Sequence, residues 1–229
     1  MANETRSQIR TEIRRDLRDP DGKTWSDDEI NDLINAGIDA ISDLSPLEDT
    51  EDYQYTFPQI AGQNMGLSLS FIPTKAFRNI FRVDVLDSNN RFYETLPIST
   101  GDGWGNGWQW FNGRVHIPAG YAYPTYNVVI GENDYERLTL KIWGYRRHTI
   151  LSSDSTASDL SDAEKNAVRI YAQAEALQRL MIDRADFQQW QIASGSSDMT
   201  ISELSVLASS ARTRWRMEAS RIRRVRQIS

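Results

Sequence analysis

Cysteine is absent from the 229 residues of the chain, which excludes disulfides, thiolate zinc sites and cysteine nucleophiles. Histidine is almost as scarce, since only His116 and His148 occur. Each lies in a strand-like segment without a second ligand nearby, so a buried or half-buried histidine is favoured over a metal ligand. Stability must therefore come from packing or from assembly with other chains.

Long apolar runs are also missing. Hydrophobic residues make up 39% and charged residues 25% of the chain, and no window approaches the roughly 20 apolar residues that a membrane span requires. The first residues are charged and lack the apolar run of a secretory signal. These features predict a soluble protein without a membrane partner, built as one domain or as one domain interrupted by a second.

The strong catalytic motifs are absent as well. The chain has no Gly-x-x-x-x-Gly-Lys-Ser/Thr loop, no Gly-x-Ser-x-Gly elbow and no His-Glu-x-x-His pair. Asp27, Asp28 and Glu29 are adjacent carboxylates, but neighbours on one helical turn point in different directions and cannot face each other across a glycosidic bond. We therefore predict a protein that is not an enzyme, with no catalytic, metal or cofactor site.

The charge that is present is distributed unevenly. The net charge is −6, yet twelve acidic residues and one lysine lie between Asp19 and Asp52, whereas seven arginines and one glutamate lie between Arg212 and Arg226. The two ends of the chain therefore carry fields of opposite sign. Such fields allow attraction between copies or contacts with two different partners, and they are also compatible with two solvated surfaces.

Two amphipathic helices are predicted at the N-terminus. Residues 3–18 form the first, in which isoleucine and leucine recur every four positions beside a row of arginines. Ser26 and Glu29 form a capping box that starts the second helix, and Pro46 ends it. The segment around Asp19 resembles part of a calcium loop, but its first and twelfth ligand positions do not fit, so a turn is predicted.

Residues 53–150 have a different pattern. Thr, Val, Ile, Tyr, Phe and Trp dominate, and short polar segments interrupt them, as is typical of β-strands. Asn112-Gly113 is typical of a two-residue hairpin turn. The predicted strands are Phe77 to Leu86, Arg91 to Leu96, Trp108 to Phe111, Arg114 to Ile117, and Leu138 to Tyr145.

Two further helices are predicted after a polar linker at residues 152–156. Ser161 and Glu164 form a second capping box, which starts a helix that extends to about Trp190. Residues 199–226 form the last helix.

This order of elements predicts an α+β fold. Residues 1–50 and 152–229 form a helical domain with two N-terminal and two C-terminal helices. Residues 51–151 form an inserted antiparallel β domain, either a sandwich or a barrel-like structure.

Tryptophan is concentrated beside a glycine-rich stretch at residues 101–107, which is predicted to be a flexible loop tip. Alternate residues of a strand face opposite sides, so Trp108 and Trp110 should share one face and Phe111 should take the other. With Trp104, the two tryptophans form a candidate contact patch. Protein contact is favoured over sugar stacking because tryptophan is enriched at interface hot spots.

The last predicted helix combines arginines with an apolar seam. Its arginines would neutralise phosphates, as in a nucleic-acid interface, but the acidity of the whole chain disfavours a free DNA binder. A basic helix with tryptophan in its seam is also typical of a helix that docks into a groove of a protein partner, and we favour this interpretation. The predicted docking residues are Arg212, Trp215, Arg216, Ile222, Arg223 and Val225.

The N-terminal hairpin carries a recognisable pattern. Ile13, Leu17 and Asp19 precede a tryptophan just before the capped helix, and the helix contains an Ile-Asn-Ala stretch. This segment resembles the opening hairpin of the head-to-tail connector, or adaptor, proteins of tailed bacteriophages, with weaker support from the two C-terminal helices. The hairpin-defining residues are Trp25, Ser26, Glu29 and Asn35.

The resemblance implies a structural virion protein at the head-tail junction, present in the host cytoplasm during assembly. Such a protein forms an oligomeric ring of about a dozen copies, which implies a dodecamer. The ring joins the portal protein to tail, stopper or nozzle proteins and continues the DNA channel, through which double-stranded DNA passes non-specifically. The basic last helix would dock against the portal, and acidic surface would line the lumen.

Other classes of function stay open at this point. A carbohydrate-binding or tail-associated module would use the Trp-rich β region. A glycan hydrolase would require a carboxylate pair. A nucleic-acid binder would use the arginines of the last helix.

Overall fold

The computed structural model describes residues 4–56, 67–86, 90–99, 107–121, 137–188 and 201–228. The chain divides into two compact units, the helical unit (Met1–Pro46 with His148–Ser229) and the β unit (Leu47–Arg147). The helices are α1 (Arg6–Asp16), α2 (Asp27–Leu44), α3 (Asp162–Gln188) and α4 (Ile201–Ile228). The strands are β1 (Leu47–Thr56), β2 (Leu67–Phe71), β3 (Phe77–Leu86), β4 (Phe92–Thr95), β5 (Gln109–Phe111), β6 (Arg114–Tyr121) and β7 (Arg137–Arg146). Helices at both ends and antiparallel strands between them confirm the predicted α+β fold.

Local signals determine the ends of the N-terminal helices. α1 ends at Asp16, earlier than predicted, because Arg18 adopts a left-handed backbone with a φ of 56°. α2 begins with the predicted capping box. The N–H of Glu29 donates to the Ser26 hydroxyl at 3.2 Å, and the N–H of Ser26 donates to the Glu29 carboxylate at 2.8 Å.

The core of the helical unit forms around α2. Its apolar side is fully buried, and α3 contributes small residues opposite it, so the two helices approach closely. Each large aliphatic side chain buried here contributes about 1.5–3 kcal/mol. The cluster includes Ile9, Ile13, Ile30, Leu33, Ile34, Ile38, Ile41, Ala167, Val168, Ala172, Ala176 and Ile222.

The β unit contains two antiparallel sheets among its described residues. One has four strands in the order β1-β7-β3-β4, and the other has three in the order β2-β6-β5. Side chains of both sheets, including Phe71, Val83, Trp108, Val115 and Ile142, form one hydrophobic cluster. The two sheets therefore share a core as in a sandwich.

All five predicted strands are present, and β1 and β2 occur in addition to them. β1 begins at Leu47, so the domain boundary predicted at residues 50–51 falls inside this strand. The predicted hairpin turn between β5 and β6 is confirmed. Asn112 and Gly113 have φ values of 51° and 72°, and such left-handed residues match the twist of a two-residue hairpin.

Candidate assembly surfaces

Asp19 organises the turn between α1 and α2. Its carboxylate accepts the backbone N–H groups of Lys23 at 2.8 Å, Thr24 at 3.2 Å and Trp25 at 3.0 Å, and lies 3.3 Å from the guanidinium of Arg14. Burial alone would raise the pKa of Asp19, but these N–H groups and Arg14 lower it. The predicted turn is thus held by a buried carboxylate.

The four predicted hairpin-defining residues act inside the helical unit. Trp25 is buried in the core, and Ser26 and Glu29 cap α2. The side-chain oxygen of Asn35 accepts the N–H of Leu151 at 3.2 Å. These contacts stabilise the hairpin and attach it to the segment before α3. Contacts with other proteins must therefore be made by other residues.

The arginine row of α1 forms an ion-pair network. Arg10 lies 2.9 Å from Asp154 and 3.5 Å from Asp27, and Arg14 lies 2.6 Å from Asp27. Arg6 also binds Asp154 at 2.9 Å. The hydrogen bond to Asp154 raises the pKa of Arg10. Part of the acidic stretch is therefore neutralised within the chain, which weakens the field that the sequence suggests.

His148 lies in a buried polar cluster beside the end of β7. Its Nδ1 is 3.0 Å from a carboxylate oxygen of Asp159, and its Nε2 is 2.9 Å from the carbonyl oxygen of Ser45 and 3.6 Å from Glu164. Burial lowers the pKa of His148, but the two carboxylates outweigh it and raise the pKa to about 9. The histidine is buried, as predicted, and holds a positive charge between two acidic groups.

The apolar seam of α4 is covered by the chain itself. Leu204, Ala208, Ala211 and Ile222 are buried in the helical unit, and the ring of half-buried Trp215 lies edge-on to Tyr171 at 5.3 Å. Trp215 and Ile222, which were predicted to dock into a partner, both pack internally in the described part of the chain, and their docking stays a prediction.

The arginines predicted to dock have different positions. Arg212 binds Glu175 at 3.2 Å, and Arg216 is exposed. Arg223 and Val225 lie within the α4 backbone, but their side chains are outside the part of the chain that the structure describes.

The exposed face of α4, defined by Val206, Met217 and the flanking Arg214 and Arg221, lies opposite the buried seam. Val206 is 67% and Met217 is 53% exposed. The two are eleven residues apart, or about three helical turns, and so share one side of the helix. This spacing is the sequence signal that identifies them.

The predicted tryptophan patch is largely core. Trp108 is 1% exposed, and its indole N–H donates to the carbonyl oxygen of Leu96 at 3.2 Å. Trp110 is half-buried on the same side, and Phe111 is 70% exposed on the other, as strand alternation predicts. Trp104 lies outside the described residues. Trp108 therefore stabilises the β unit and offers no contact surface.

A second aromatic group lies on β3 and β7 and was not predicted. Phe81 and Tyr145 have ring centroids 4.8 Å apart, while Arg82 and Lys141 lie 5.4 and 5.2 Å from the ring centre of Trp143. Cations over an indole ring hold it in place. Alternation of Lys141, Trp143 and Tyr145 along β7 is the signal for this group.

Within the described ranges, no group of three or more His, Asp or Glu side chains is arranged so that it could hold a metal ion. The helices in the same ranges include none with the length and apolarity to cross a membrane.

Comparison with known proteins gives one match that covers both units. The family model described as SU10 adaptor protein matches residues 5–225. A search of curated proteins finds no match. The match extends well beyond the N-terminal hairpin, to most of α4. The chain belongs to the SU10 adaptor protein family, a family of bacteriophage adaptor proteins.

Proposed function

We propose that the protein forms an oligomeric ring in the virion that joins the portal to the tail and continues the DNA channel. The observation that carries this proposal is the adaptor-family match over residues 5–225. An adaptor between two assemblies needs a surface for each of them, and a ring needs a further contact between copies. The partners are therefore the portal protein, tail proteins and neighbouring copies, which assemble in the host cytoplasm.

We assign the portal contact to the exposed face of α4. Val206 and Met217 offer apolar area, and Arg214 offers positive charge beside it, while Arg221 is paired with Glu218 at 2.8 Å. Aliphatic groups flanked by arginine suit a groove with an apolar floor and an acidic rim. This assignment keeps α4 as the docking helix and moves the contact from the buried seam to the opposite side.

The exposed side of α2 supports the proposal that acidic side chains line the channel of the ring. Asp28 and Asp32 are both exposed and lie one helical turn apart. Carboxylates repel the phosphates of DNA, so a channel lined by them allows the duplex to slide. The ring would then guide double-stranded DNA without binding it specifically.

The proposal predicts that the purified protein assembles on portal rings. We expect mass photometry to show a discrete complex of many copies when portal is added. The paired substitution Val206→Asp with Met217→Asp should weaken this assembly at least tenfold, because it places carboxylates in the apolar part of the contact. Deletion of α4 is a poor test, since it would remove Leu204 and Ile222 from the core.

Ser205→Asp is the matched control, because Ser205 is exposed on α4 but away from the exposed face. It should assemble like the unmodified protein, with the same helical content by circular dichroism. A protein that remains monomeric with every portal ring tested would overturn the adaptor proposal. If the paired variant assembles as well as the unmodified protein, the ring proposal stands and the portal contact lies on another surface.

A further inference from the structure

A cleft of 340 Å³ lies in the β unit beside β5. β3 contributes Asn79 to its wall, and the segment after β4 contributes Ile98 and Ser99. Gln109 and Trp110 of β5 form much of the remaining lining. The volume is at the lower end of the range for small-molecule sites, which suits a ligand of one or two rings.

The wall of the cleft is held by backbone hydrogen bonds. The N–H of Trp108 donates to the carbonyl oxygen of Pro97, and the N–H of Ser99 donates to the carbonyl oxygen of Trp108, both at 2.9 Å. The hydrogen bond from the indole N–H of Trp108 to the carbonyl oxygen of Leu96 holds the indole ring in place. The backbone of β5 and of residues 97–99 is therefore ordered before a ligand binds. This order reduces the conformational entropy lost on binding.

Polar groups in the cleft are neutral and already oriented. The side-chain N–H of Gln109 donates to the hydroxyl of Ser99 at 3.0 Å. That bond leaves the amide oxygen and a second N–H of Gln109 as recognition groups, and Asn79 supplies another amide. None of the described lining residues carries a charge, so the lining does not favour phosphate, carboxylate or metal ligands.

Aromatic surface completes the lining. Trp110 packs on the β core with part of its ring and leaves the rest accessible. Phe111 and Ile98 stand at the cleft with 70% and 55% of their surface exposed. An aromatic ring has a negative face, which attracts the weakly positive C–H groups of a saturated ring.

We propose that this cleft binds a neutral sugar. The pyranose C–H face packs on Phe111, whose side chain lies on the same side of β5 as Gln109, and the hydroxyl groups of the sugar bond with Gln109, Ser99 and Asn79. Hydroxyl groups pair with amides as both donors and acceptors, and the C–H face covers the aromatic ring, so one ligand satisfies both parts of the lining. This activity is separate from ring formation and does not depend on it. The ligand class is a free saccharide or a glycan at a cell surface, which share this chemistry.

Saturation-transfer NMR on the full chain tests the proposal. The probes are glucose, galactose, mannose, rhamnose and N-acetylglucosamine, each at about 10 mM, which detects dissociation constants near 1 mM. At least one sugar should receive saturation, and Gln109→Ala and Phe111→Ala should each weaken its binding about tenfold. Both positions are exposed, so these variants should keep the circular dichroism spectrum of the unmodified protein. A lipopolysaccharide or polysaccharide that carries the same sugar distinguishes a surface glycan from a free saccharide by its tighter binding.

Phe92→Ala is the matched control, because Phe92 is 60% exposed on β4 and is not among the residues that line the cleft. It should bind the sugar like the unmodified protein. The proposal is wrong if no probe receives saturation, or if all three variants bind equally. Protection of the cleft by a tail protein, without any sugar binding, would instead assign it to a protein contact.

Discussion

Replacement of His148 by glutamine is expected to destabilise the helical unit by about 3 kcal/mol. The side chain of His148 is 0% exposed and lies between Asp159 and Glu164, whose side chain is 3% exposed. Removal of the positive charge leaves buried carboxylates without their counterion, and breaking a buried pair in this way typically costs about 3–5 kcal/mol. The lower value applies because the Asp159 side chain keeps 23% of its surface in solvent.

The pH dependence of stability follows from the same cluster. The pKa of His148 is raised from 6.5 to about 9, so its contribution is complete below pH 6.5 and is lost as the pH rises through 9. The pKa values of Asp159 and Glu164 are lowered to about 2 from 3.8 and 4.5. Their contributions are present above pH 4.5 and are lost as the pH falls through 2. Stability should therefore be greatest between pH 4.5 and 6.5.

Urea unfolding followed by circular dichroism at 222 nm measures both effects, because this signal reports the helices. His116→Gln is the matched control, since His116 is half-buried on β6. The control should lose little stability, and its free energy of unfolding should still decrease as the pH rises toward 9. Equal midpoints for the two variants would show that the cluster contributes no net stability.

Replacement of Asp19 by alanine should destabilise the protein by about 2–3 kcal/mol. Three backbone N–H groups of the turn lose their acceptor, and Arg14 loses a buried partner. Each buried donor left unsatisfied costs about 1–3 kcal/mol, and water that enters the turn recovers part of that cost. Because folding lowers the pKa of Asp19 from 3.8, the contribution is present above pH 3.8 and decreases at lower pH.

Asp21→Ala is the control for this prediction, because Asp21 lies in the same turn with its side chain 71% exposed. Thermal unfolding at pH 7 should lower the midpoint strongly for Asp19→Ala and hardly at all for Asp21→Ala. A similar small decrease in both variants would show that the turn is held by its backbone alone.

The strands that the sequence pattern predicts are those with β-branched and aromatic residues. β1 escapes the prediction because it carries Glu48, Asp49, Glu51 and Asp52, residue types that disfavour strands. Its acidity is balanced by distant residues: Asp49 lies 2.7 Å from Lys75 and 2.6 Å from Arg146. Ten residue pairs with β7 complete its stabilisation. Contacts that depend on the fold therefore outweigh local propensity here.

The same limit applies to the candidate surfaces. Capping boxes are local, so Ser26 with Glu29 and Ser161 with Glu164 could be predicted from four residues of sequence. The apolar seam of α4 was predicted correctly. Its coverage by α3 is a tertiary contact, which the local sequence of α4 does not reveal. Sequence periodicity identifies an apolar side of a helix and does not distinguish burial within the chain from burial against a partner.

The ends of the β unit meet at one point. β1 and β7 pair at Leu47 and Arg146, and just beyond them the carbonyl oxygen of Ser45 accepts the imidazole N–H of His148 at 2.9 Å. The roughly 100 residues between these points enter and leave the helical unit side by side, at a separation that a short turn can bridge. A short turn in place of the β unit would therefore connect α2 to the segment before α3, so the chain path of the helical unit does not depend on the β unit.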